Sequence, residues 1–148
     1  MKFARLYSSE LESLEKEFIA FLAVNGIDSD YWIKLKETEN EKAEDLVDVF
    51  SDIVWKKNLD EIKFLEHRTN NSLKLFHCKK NTIELIGIDG DIQHYSTKKP
   101  NSSTSPKLSI YTHAKPYSIS REDELFALIK GGCCISEEKL YNEFKKFI

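Results

Sequence analysis

Residues 73–90 read LKLFHCKKNTIELIGIDG, and this stretch decides the fold because its apolar residues change from a helical to an alternating period. Two strands are predicted, over Leu73–Cys78 and Thr82–Ile88, joined at Lys79-Lys80-Asn81. The dipeptide Asp89-Gly90 is typical of a two-residue hairpin turn, because both residues tolerate the positive φ angles that such a turn needs. A third strand is therefore predicted over Asp91–Ser96. Together the strands predict an antiparallel meander.

The two turns also predict how these strands pair. A three-residue turn places His77 opposite Ile83, and a two-residue turn places Leu85 opposite His94. With ~4.8 Å between strands and a rise of ~3.3 Å per residue, His77 and His94 share a face but lie roughly 11–12 Å apart. One metal ion bound at ~2.1 Å cannot bridge that distance. The sequence therefore predicts no metal site among the histidines.

Three helices are predicted before the meander, because apolar residues recur there every three or four positions. The first follows Ser9 and ends at Asn25-Gly26, where glycine adopts the positive φ of a helix end at little cost. The second spans about Ser29–Lys36, with Asp28 as its N-cap. The third runs from Glu41 to about His67.

The third predicted helix has an alternative. Its apolar face continues past Asn58, where the helix can bend, to Ile62 and Leu65. The competing interpretation makes residues 62–64 a strand. The helix is preferred because residues 60, 61 and 66 are acidic and therefore poor strand formers, and because no turn signal follows Trp55.

The remainder of the chain predicts one more strand and two more helices. The strand spans Leu108–His113, after a polar segment, Thr97–Lys107, that is predicted to be a flexible loop. One helix follows Ser120 and the other follows Ser136. The order of helices, meander of three to four strands, and helices predicts an α+β fold. The length of 148 residues predicts a single domain over 1–148.

Composition excludes several classes of protein. Lysine plus arginine number 22 and aspartate plus glutamate 25, and this net charge of −3 argues against a nucleic-acid partner. No apolar run approaches the ~20 residues of a membrane span, so no membrane partner is expected. No signal peptide follows Met1, and three cysteines are too few for a disulfide framework. A cytoplasmic location with free thiols is therefore expected.

Five short stretches carry a resemblance to a known family. They are MKFARL at 1–6, EFIAFLA at 17–23, FSDIV at 50–54, LEHR at 65–68 and ELF at 124–126. On these residues the chain resembles a domain of unknown function found in small cytoplasmic proteins of Bacteroidetes and related flavobacteria. The resemblance covers most of the chain. It implies a bacterial source and attaches no activity, cofactor or catalytic residue to any position.

No motif in the chain predicts catalysis. It contains no phosphate-binding glycine loop, no GxSxG elbow and no HExxH helix. Cys133 and Cys134 lack the CxxC spacing of redox sites, and Cys78 stands alone, so these thiols are interpreted as reduced and without catalytic duty. No catalytic residue and no cofactor is predicted.

Two functions follow as hypotheses. The first is a non-catalytic interaction or accessory domain that binds another protein or a second copy of itself, with Trp32 and Trp55 as the interaction surface, because tryptophan is enriched where proteins meet partners. We expect at least one of these indoles at the rim of an exposed apolar patch. The alternative is an enzyme or a small-ligand-binding protein whose site lies on the sheet face around His77, His94 and Tyr95.

Overall fold

The computed structural model describes residues 2–90 and 108–148. The chain divides into two compact units, Met1–Asn58 and Leu59–Ile148, which we call the helical unit and the sheet unit. The α+β class predicted from the sequence is confirmed, since helices precede and follow an antiparallel sheet. The predicted loop over Thr97–Lys107 lies outside the described residues. No helix within the described residues has the length and hydrophobicity that a membrane span requires.

Four helices begin within the described residues of the helical unit, one more than predicted. They are α1 (Ser8–Ser13), α2 (Glu15–Val24), α3 (Ser29–Thr38) and α4 (Asn40–Glu61). The additional helix arises because the predicted first helix is divided at Leu14, whose φ of −108° and ψ of 23° depart from helical values. The predicted cap of α3 is confirmed, because the N–H of Tyr31 donates to Asp28 Oδ1 at 2.8 Å. Gly26 follows α2 with a φ of 74°, as a helix-ending glycine should.

The N-terminal segment Lys2–Leu6 is bound to one face of α4 by side chains that the sequence did not single out. Asp52 accepts hydrogen bonds from the first two N–H groups of the segment, at 2.6 and 2.8 Å. The buried hydroxyl of Ser51 accepts from the N–H of Leu6 at 3.1 Å. Asp48 accepts two hydrogen bonds from the guanidinium of Arg5, at 2.6 and 3.0 Å. Because Ser51 and Asp52 lie three and four positions after Asp48, one helix face orders the whole segment.

The sheet unit contains a five-stranded antiparallel sheet in the order β4-β3-β2-β1-β5 within the described residues. The strands are β1 (Phe64–Arg68), β2 (Ser72–Cys78), β3 (Thr82–Asp89), β4 (Ser109–Pro116) and β5 (Cys134–Ile135). Two helices complete the unit, α5 (Arg121–Lys130) and α6 (Glu138–Lys145). The structure confirms the predicted β2–β3 hairpin and both C-terminal helices. It also confirms the strand predicted over Leu108–His113, which is β4 and extends to Pro116. The two-residue strand β5 was not predicted.

The predicted continuation of the third helix to His67 is wrong. Helix α4 ends at Glu61, and Phe64 begins strand β1. Phe64 and Leu65 are adjacent and both buried, which requires cover on two opposite sides of the backbone. Strand β1 directs these two side chains to opposite faces of the sheet, and it pairs with β2 on one edge and with β5 on the other. Pairing with residues distant in sequence therefore overrides the local helical pattern.

The register predicted for the first hairpin is wrong by one residue. The N–H of Lys79 donates to the carbonyl of Thr82 at 3.0 Å, which leaves two residues in the turn rather than three. His77 therefore lies opposite Glu84 and not opposite Ile83. Because side chains alternate between the faces of a strand, the slip places a carboxylate beside the histidine instead of an apolar residue.

The predicted pairing of Leu85 with His94 is also wrong. Leu85 lies between Phe76 of β2 and His113 of β4, so β3 has a neighbouring strand on both edges. The propensity of Asp-Gly for a tight turn is local, whereas the neighbour of β3 is chosen by the assembly of the whole sheet. The predicted strand Asp91–Ser96 lies outside the described residues.

Helix α6 covers one face of the sheet. Leu75 and Ile86 lie opposite each other in β2 and β3, and both pack in a cluster with Tyr141 and Phe144 of α6. The members of this core are Phe64, Leu73, Leu75, Ile86, Ile88, Tyr141 and Phe144, with Leu108 and Leu140 at its edge. This packing fixes the side of the sheet on which His77 lies.

Arg121, the first residue of helix α5, makes polar contacts with the rest of the sheet unit. The guanidinium of Arg121 donates to four backbone carbonyls, those of Leu59, Ile62, Cys78 and Lys79. Leu59 lies in the last turn of α4 and Ile62 follows that helix, whereas Cys78 ends β2 and Lys79 follows it. All four carbonyls therefore lie where a helix or a strand ends. The guanidinium of Arg121 therefore binds both the end of α4 and the end of β2.

Candidate functional site

A groove of about 530 Å³ lies between helices α2 and α3 of the helical unit. Its lining residues recur every three or four positions on both helices, so each helix contributes one continuous stripe. They are Glu15, Phe18, Ile19, Leu22 and Ala23 of α2, Ile27 and Asp28 of the connection, and Ser29, Trp32, Ile33 and Lys36 of α3. The turn that follows Gly26 brings the two stripes together.

The floor of this groove belongs to the core of the helical unit. Leu22, Ile27 and Leu35 are buried there, and aromatic rings pack around them. The indole of Trp32 contacts the ring of Phe18 edge to face, with 5.3 Å between centroids. Edge-to-face pairs of this kind add to the stability gained by burial alone. The floor is therefore rigid, and Trp32 is held in a fixed orientation at its border.

The walls of the groove remain open to solvent. Ile19 on α2 and Ile33 on α3 are each 52% exposed, and Trp32 between them is half-buried. Single exposed apolar residues are ordinary, but here they line one concave surface together. The apolar stripes of α2 and α3 are thus wider than the surface that the rest of the unit covers.

A second, smaller groove of about 360 Å³ lies on the other side of α3, between α3 and α4. Tyr31 and Val49 are exposed at its walls, and Ile27 lines both grooves. Its border carries Lys42 and Asp45, so it is more polar at the rim than in its floor. Helix α3 is therefore flanked by apolar surface on two sides.

The helical unit is acidic, and the sheet unit is slightly basic. Residues 1–58 hold thirteen Asp or Glu and eight Lys or Arg, and residues 59–148 hold twelve and fourteen. At the α2–α3 groove the acidic residues are Glu15 and Asp28. The one lysine there, Lys36, has its ammonium 5.7 Å from the centroid of the Trp32 ring, within cation–π range.

The two tryptophans predicted to form one surface occupy different places. Trp32 lines the α2–α3 groove, whereas Trp55 is half-buried on α4 and lines neither of the two grooves beside α3. Neither indole is almost fully buried, so the argument for a binding surface at these residues stands as a prediction.

In the sheet unit, His77 lies in an aromatic and carboxylate environment. Its ring stacks on Phe64 at 4.6 Å between centroids and meets Tyr141 edge to face at 5.3 Å. Its Nδ1 atom is 3.9 Å from Glu84 Oε2, which is too long for a hydrogen bond. Burial lowers the pKa of His77 from its ordinary value, although the nearby Glu84 opposes that shift. The imidazole is therefore neutral at pH 7.

Glu84 is held by two other side chains. Lys79 Nζ lies 2.6 Å from Oε1, and the hydroxyl of Tyr141 donates to Oε2 at 3.2 Å. The hydrogen bond from Lys79 holds the pKa of Glu84 below its ordinary value, and burial raises the pKa of Tyr141 to about 12. The result is a fixed carboxylate beside a neutral histidine, without the short hydrogen bond that couples a general base to its partner.

His94 and Tyr95, the other members of the predicted sheet-face site, lie outside the described residues. Within residues 2–90 and 108–148, no three His, Cys, Asp or Glu side chains are grouped so that they could hold a metal ion.

The cysteines are free and mostly shielded from reaction. Burial raises the pKa of Cys78 to about 12, and burial also raises the pKa of Cys133. A thiol with a raised pKa holds little of the thiolate that nucleophilic and redox chemistry needs. Cys134 is exposed in β5. The raised pKa values support the interpretation that Cys78 and Cys133 have no catalytic duty.

Sequence reasoning missed several residues that shape these surfaces. Ile19 belongs to the apolar pattern that predicts the first helix, but that pattern does not show that the stripe is wider than the surface covering it. The partner of Ile19 across the groove, Ile33, was not singled out at all. A signal was present, because Ile33 follows Trp32 directly and widens the apolar arc of a short helix. Glu84 was missed because the predicted register was one residue out.

Comparison with known proteins identifies a family without assigning a function. No curated protein and no solved structure matches the chain. The model of a family of unknown function, DUF6495, matches residues 1–148, which is the whole sequence. This finding agrees with the resemblance to a domain of unknown function. The chain therefore belongs to the DUF6495 family of unknown function.

Proposed function

We propose that this protein is a non-catalytic interaction domain whose helical unit binds one amphipathic helix of a partner protein in the α2–α3 groove. The observation that carries the proposal is the concave apolar surface formed by Ile19, Trp32 and Ile33 over a buried floor. A surface of this kind on a monomer marks an interaction site more often than a chance exposure does. Trp32, a residue type enriched in binding hot spots, borders it.

The shape of the groove supports a helical partner. Both walls are helix faces, and residues three or four positions apart form ridges with a furrow between them. A third helix can place its own apolar stripe in that furrow, as in helix-in-groove recognition. The volume of about 530 Å³ accommodates several large side chains.

The charge of the unit supports a partner with basic residues beside its apolar stripe. The helical unit carries five more acidic than basic residues, and Glu15 and Asp28 border the groove. Complementary charge speeds association and selects among partners more than it increases affinity. We therefore commit to an amphipathic helix of another protein that carries Lys or Arg at its flanks.

The proposal places the protein in the bacterial cytoplasm. Free and buried thiols at Cys78 and Cys133 support a reducing compartment, where such cysteines stay unpaired. The resemblance in the sequence supports a bacterial source. Fractionation of the native cell, followed by detection with an antibody, tests the location.

Binding of a designed probe tests the groove. The probe is a helical peptide built from leucine and lysine, and its counterpart carries glutamate in place of lysine. Fluorescence of Trp32 in the Trp55→Phe background reports binding at the groove itself. We expect the lysine peptide to bind at least about tenfold more tightly than the glutamate peptide, a difference of about 1.4 kcal/mol.

Two substitutions at residues of nearly equal exposure distinguish binding in the groove from general attraction of the peptide to an acidic surface. Ile33 is 52% exposed in the groove, and Ile53 is 50% exposed on α4 and lines neither of the two grooves beside α3. Ile33→Glu should weaken the lysine peptide about tenfold, and Ile53→Glu should change its affinity less than about twofold. Equal effects of both variants would refute the proposal. A dimer in sedimentation that Ile33→Glu disrupts would instead assign the groove to a second copy of the chain.

A further inference from the structure

The sheet unit has its own groove, of about 530 Å³, between strand β4 and helix α6. Ile86, Thr112 and Ala114 share the sheet face that α6 covers, because Ile86 pairs with Thr112 and Glu84 with Ala114. The lining residues are Glu84, Ile86, Thr112 and Ala114 on this face, Tyr141 and Lys145 on α6, and Ile148 after α6. All of these residues belong to the sheet unit. The α2–α3 groove, which we assign to a partner helix, belongs to the helical unit.

The groove is open because α6 covers only part of its sheet face. Tyr141 and Phe144 pack on Ile86 and its neighbours in the centre of the sheet. Thr112 and Ala114, one strand further out, are exposed. The sheet therefore offers an open floor beside the helix, formed by Thr112 and Ala114 on a regular strand. Rigid elements of this kind position small-molecule sites better than loops do.

Glu84 and Lys145, which line the groove, differ in whether their charge is paired. The carboxylate of Glu84 is neutralised by Lys79 at 2.6 Å and also accepts from the hydroxyl of Tyr141. Lys145 lies on the opposite wall, and its ammonium has no ion-pair partner within residues 2–90 and 108–148. Among the described residues, Lys145 thus contributes a positive charge that no carboxylate pairs, beside the exposed side chains of Ala114 and Ile148. His77 does not alter this balance, because its imidazole is neutral.

The geometry points to a binding site for a small apolar monocarboxylate, an acid with a short alkyl or aryl group. Its carboxylate would pair with Lys145, and its apolar group would cover Ala114 and Ile148, which are exposed. A charge-assisted hydrogen bond of this type is stronger than a neutral one. A cation would meet Lys145 unfavourably and would find Glu84 already occupied. The volume is within the range of small-molecule sites.

Three probes of similar shape test the charge rule in the full chain. They are isocaproate, which is an acid, isoamylamine, which is an amine, and leucine, which carries both charges. Nuclear magnetic resonance titration of amide signals in β4 and α6 measures each affinity. Isocaproate should bind at least about tenfold more tightly than isoamylamine. Binding of the amine, or tighter binding of leucine than of isocaproate, would overturn the assignment, the latter because it requires Glu84 to take part.

Matched variants locate the site. Lys145→Gln should weaken isocaproate about tenfold, whereas Lys146→Gln, with the same change in net charge, should leave its affinity within about twofold. Ala114→Phe should fill the groove and abolish binding. Ser109→Phe, on the other face of the same strand, should not. Equal loss for Lys145→Gln and Lys146→Gln overturns the site even if Ala114→Phe does not fold.

Discussion

The helical unit and the sheet unit use their apolar residues differently. In the sheet unit, Leu75 and Ile86 are buried in a cluster that continues across three strands and α6. In the helical unit, the buried core of α2, α3 and their connection comprises Leu22, Ile27 and Leu35, and equally apolar residues beside them stay exposed. The difference indicates that the apolar residues at the centre of the sheet stabilise the sheet unit by burial. Helices α2 and α3 leave part of their apolar surface exposed, which is the surface we propose for a partner.

The largest effect should separate these two uses directly. Leu75→Ala removes a fully buried side chain from the sheet core and should lower the free energy of unfolding by about 3 kcal/mol. Ile33→Ala removes a side chain that is half in water and should change it by less than about 0.5 kcal/mol. Urea unfolding followed by circular dichroism measures both. A cost at Ile33 that approaches the cost at Leu75 would mean that the groove is part of a core.

A second effect should test how the sheet unit is closed. Arg121→Ala leaves four carbonyls without their shared donor and should lower the free energy of unfolding by about 2 kcal/mol. Arg121→Lys keeps the charge but not the planar fork of donors, so it should recover only part of that loss. Lys80→Ala, at an exposed turn position, serves as the control in the same urea titration. If Arg121→Ala behaves like Lys80→Ala, the guanidinium is not what holds this closure.

A third, smaller effect concerns the order of the helical unit. Ser51→Ala removes the acceptor of the N–H of Leu6 and should lower the free energy of unfolding by about 1 kcal/mol. Hydrogen exchange at the amide of Leu6 should also become faster. Ser13→Ala, at an exposed position on α1, is the control. Unchanged exchange at Leu6 in Ser51→Ala would show that the hydroxyl does not order the segment.

The smallest effect is a dependence on pH in the sheet unit. The folded pKa of His77 is below its ordinary 6.5, so the unfolded chain binds a proton at higher pH than the folded chain does. The resulting stability is present above pH 6.5 and is lost as the pH falls towards the folded pKa. The charged groups that face His77 are Glu84, Lys79, Lys145 and Glu138.

His77→Phe keeps the stacking on Phe64 and removes the titrating group. The free energy of unfolding of this variant, measured from pH 7.5 to 5.5, should decline less than that of the unaltered protein. Ser109→Ala, at an exposed position of β4 without a titrating group, should keep the original slope. An identical slope in His77→Phe would assign the pH dependence to other groups.

Some of this architecture could be predicted because its cause is local. Asp28 caps α3 within three residues of itself, and Gly26 ends α2 by its own conformational freedom. The β2–β3 hairpin follows from alternation within one continuous stretch. The candidate groove was predictable only in part. Trp32 was predicted as part of an interaction surface. The exposure of Ile19 depends on which residues pack beside it in the folded chain, and a sequence does not give these contacts.

The sequence by itself determined the helical periods, most element ends, the α+β order and the absence of recognised catalytic motifs, since each depends on residues a few positions apart. Only the tertiary structure decided that Phe64 begins a strand, that Glu84 rather than Ile83 faces His77, and that Ile33 stays in water. Each of those outcomes depends on contacts between residues far apart in the chain. Such contacts are worth as much as the local preferences they override, and a single sequence does not record them.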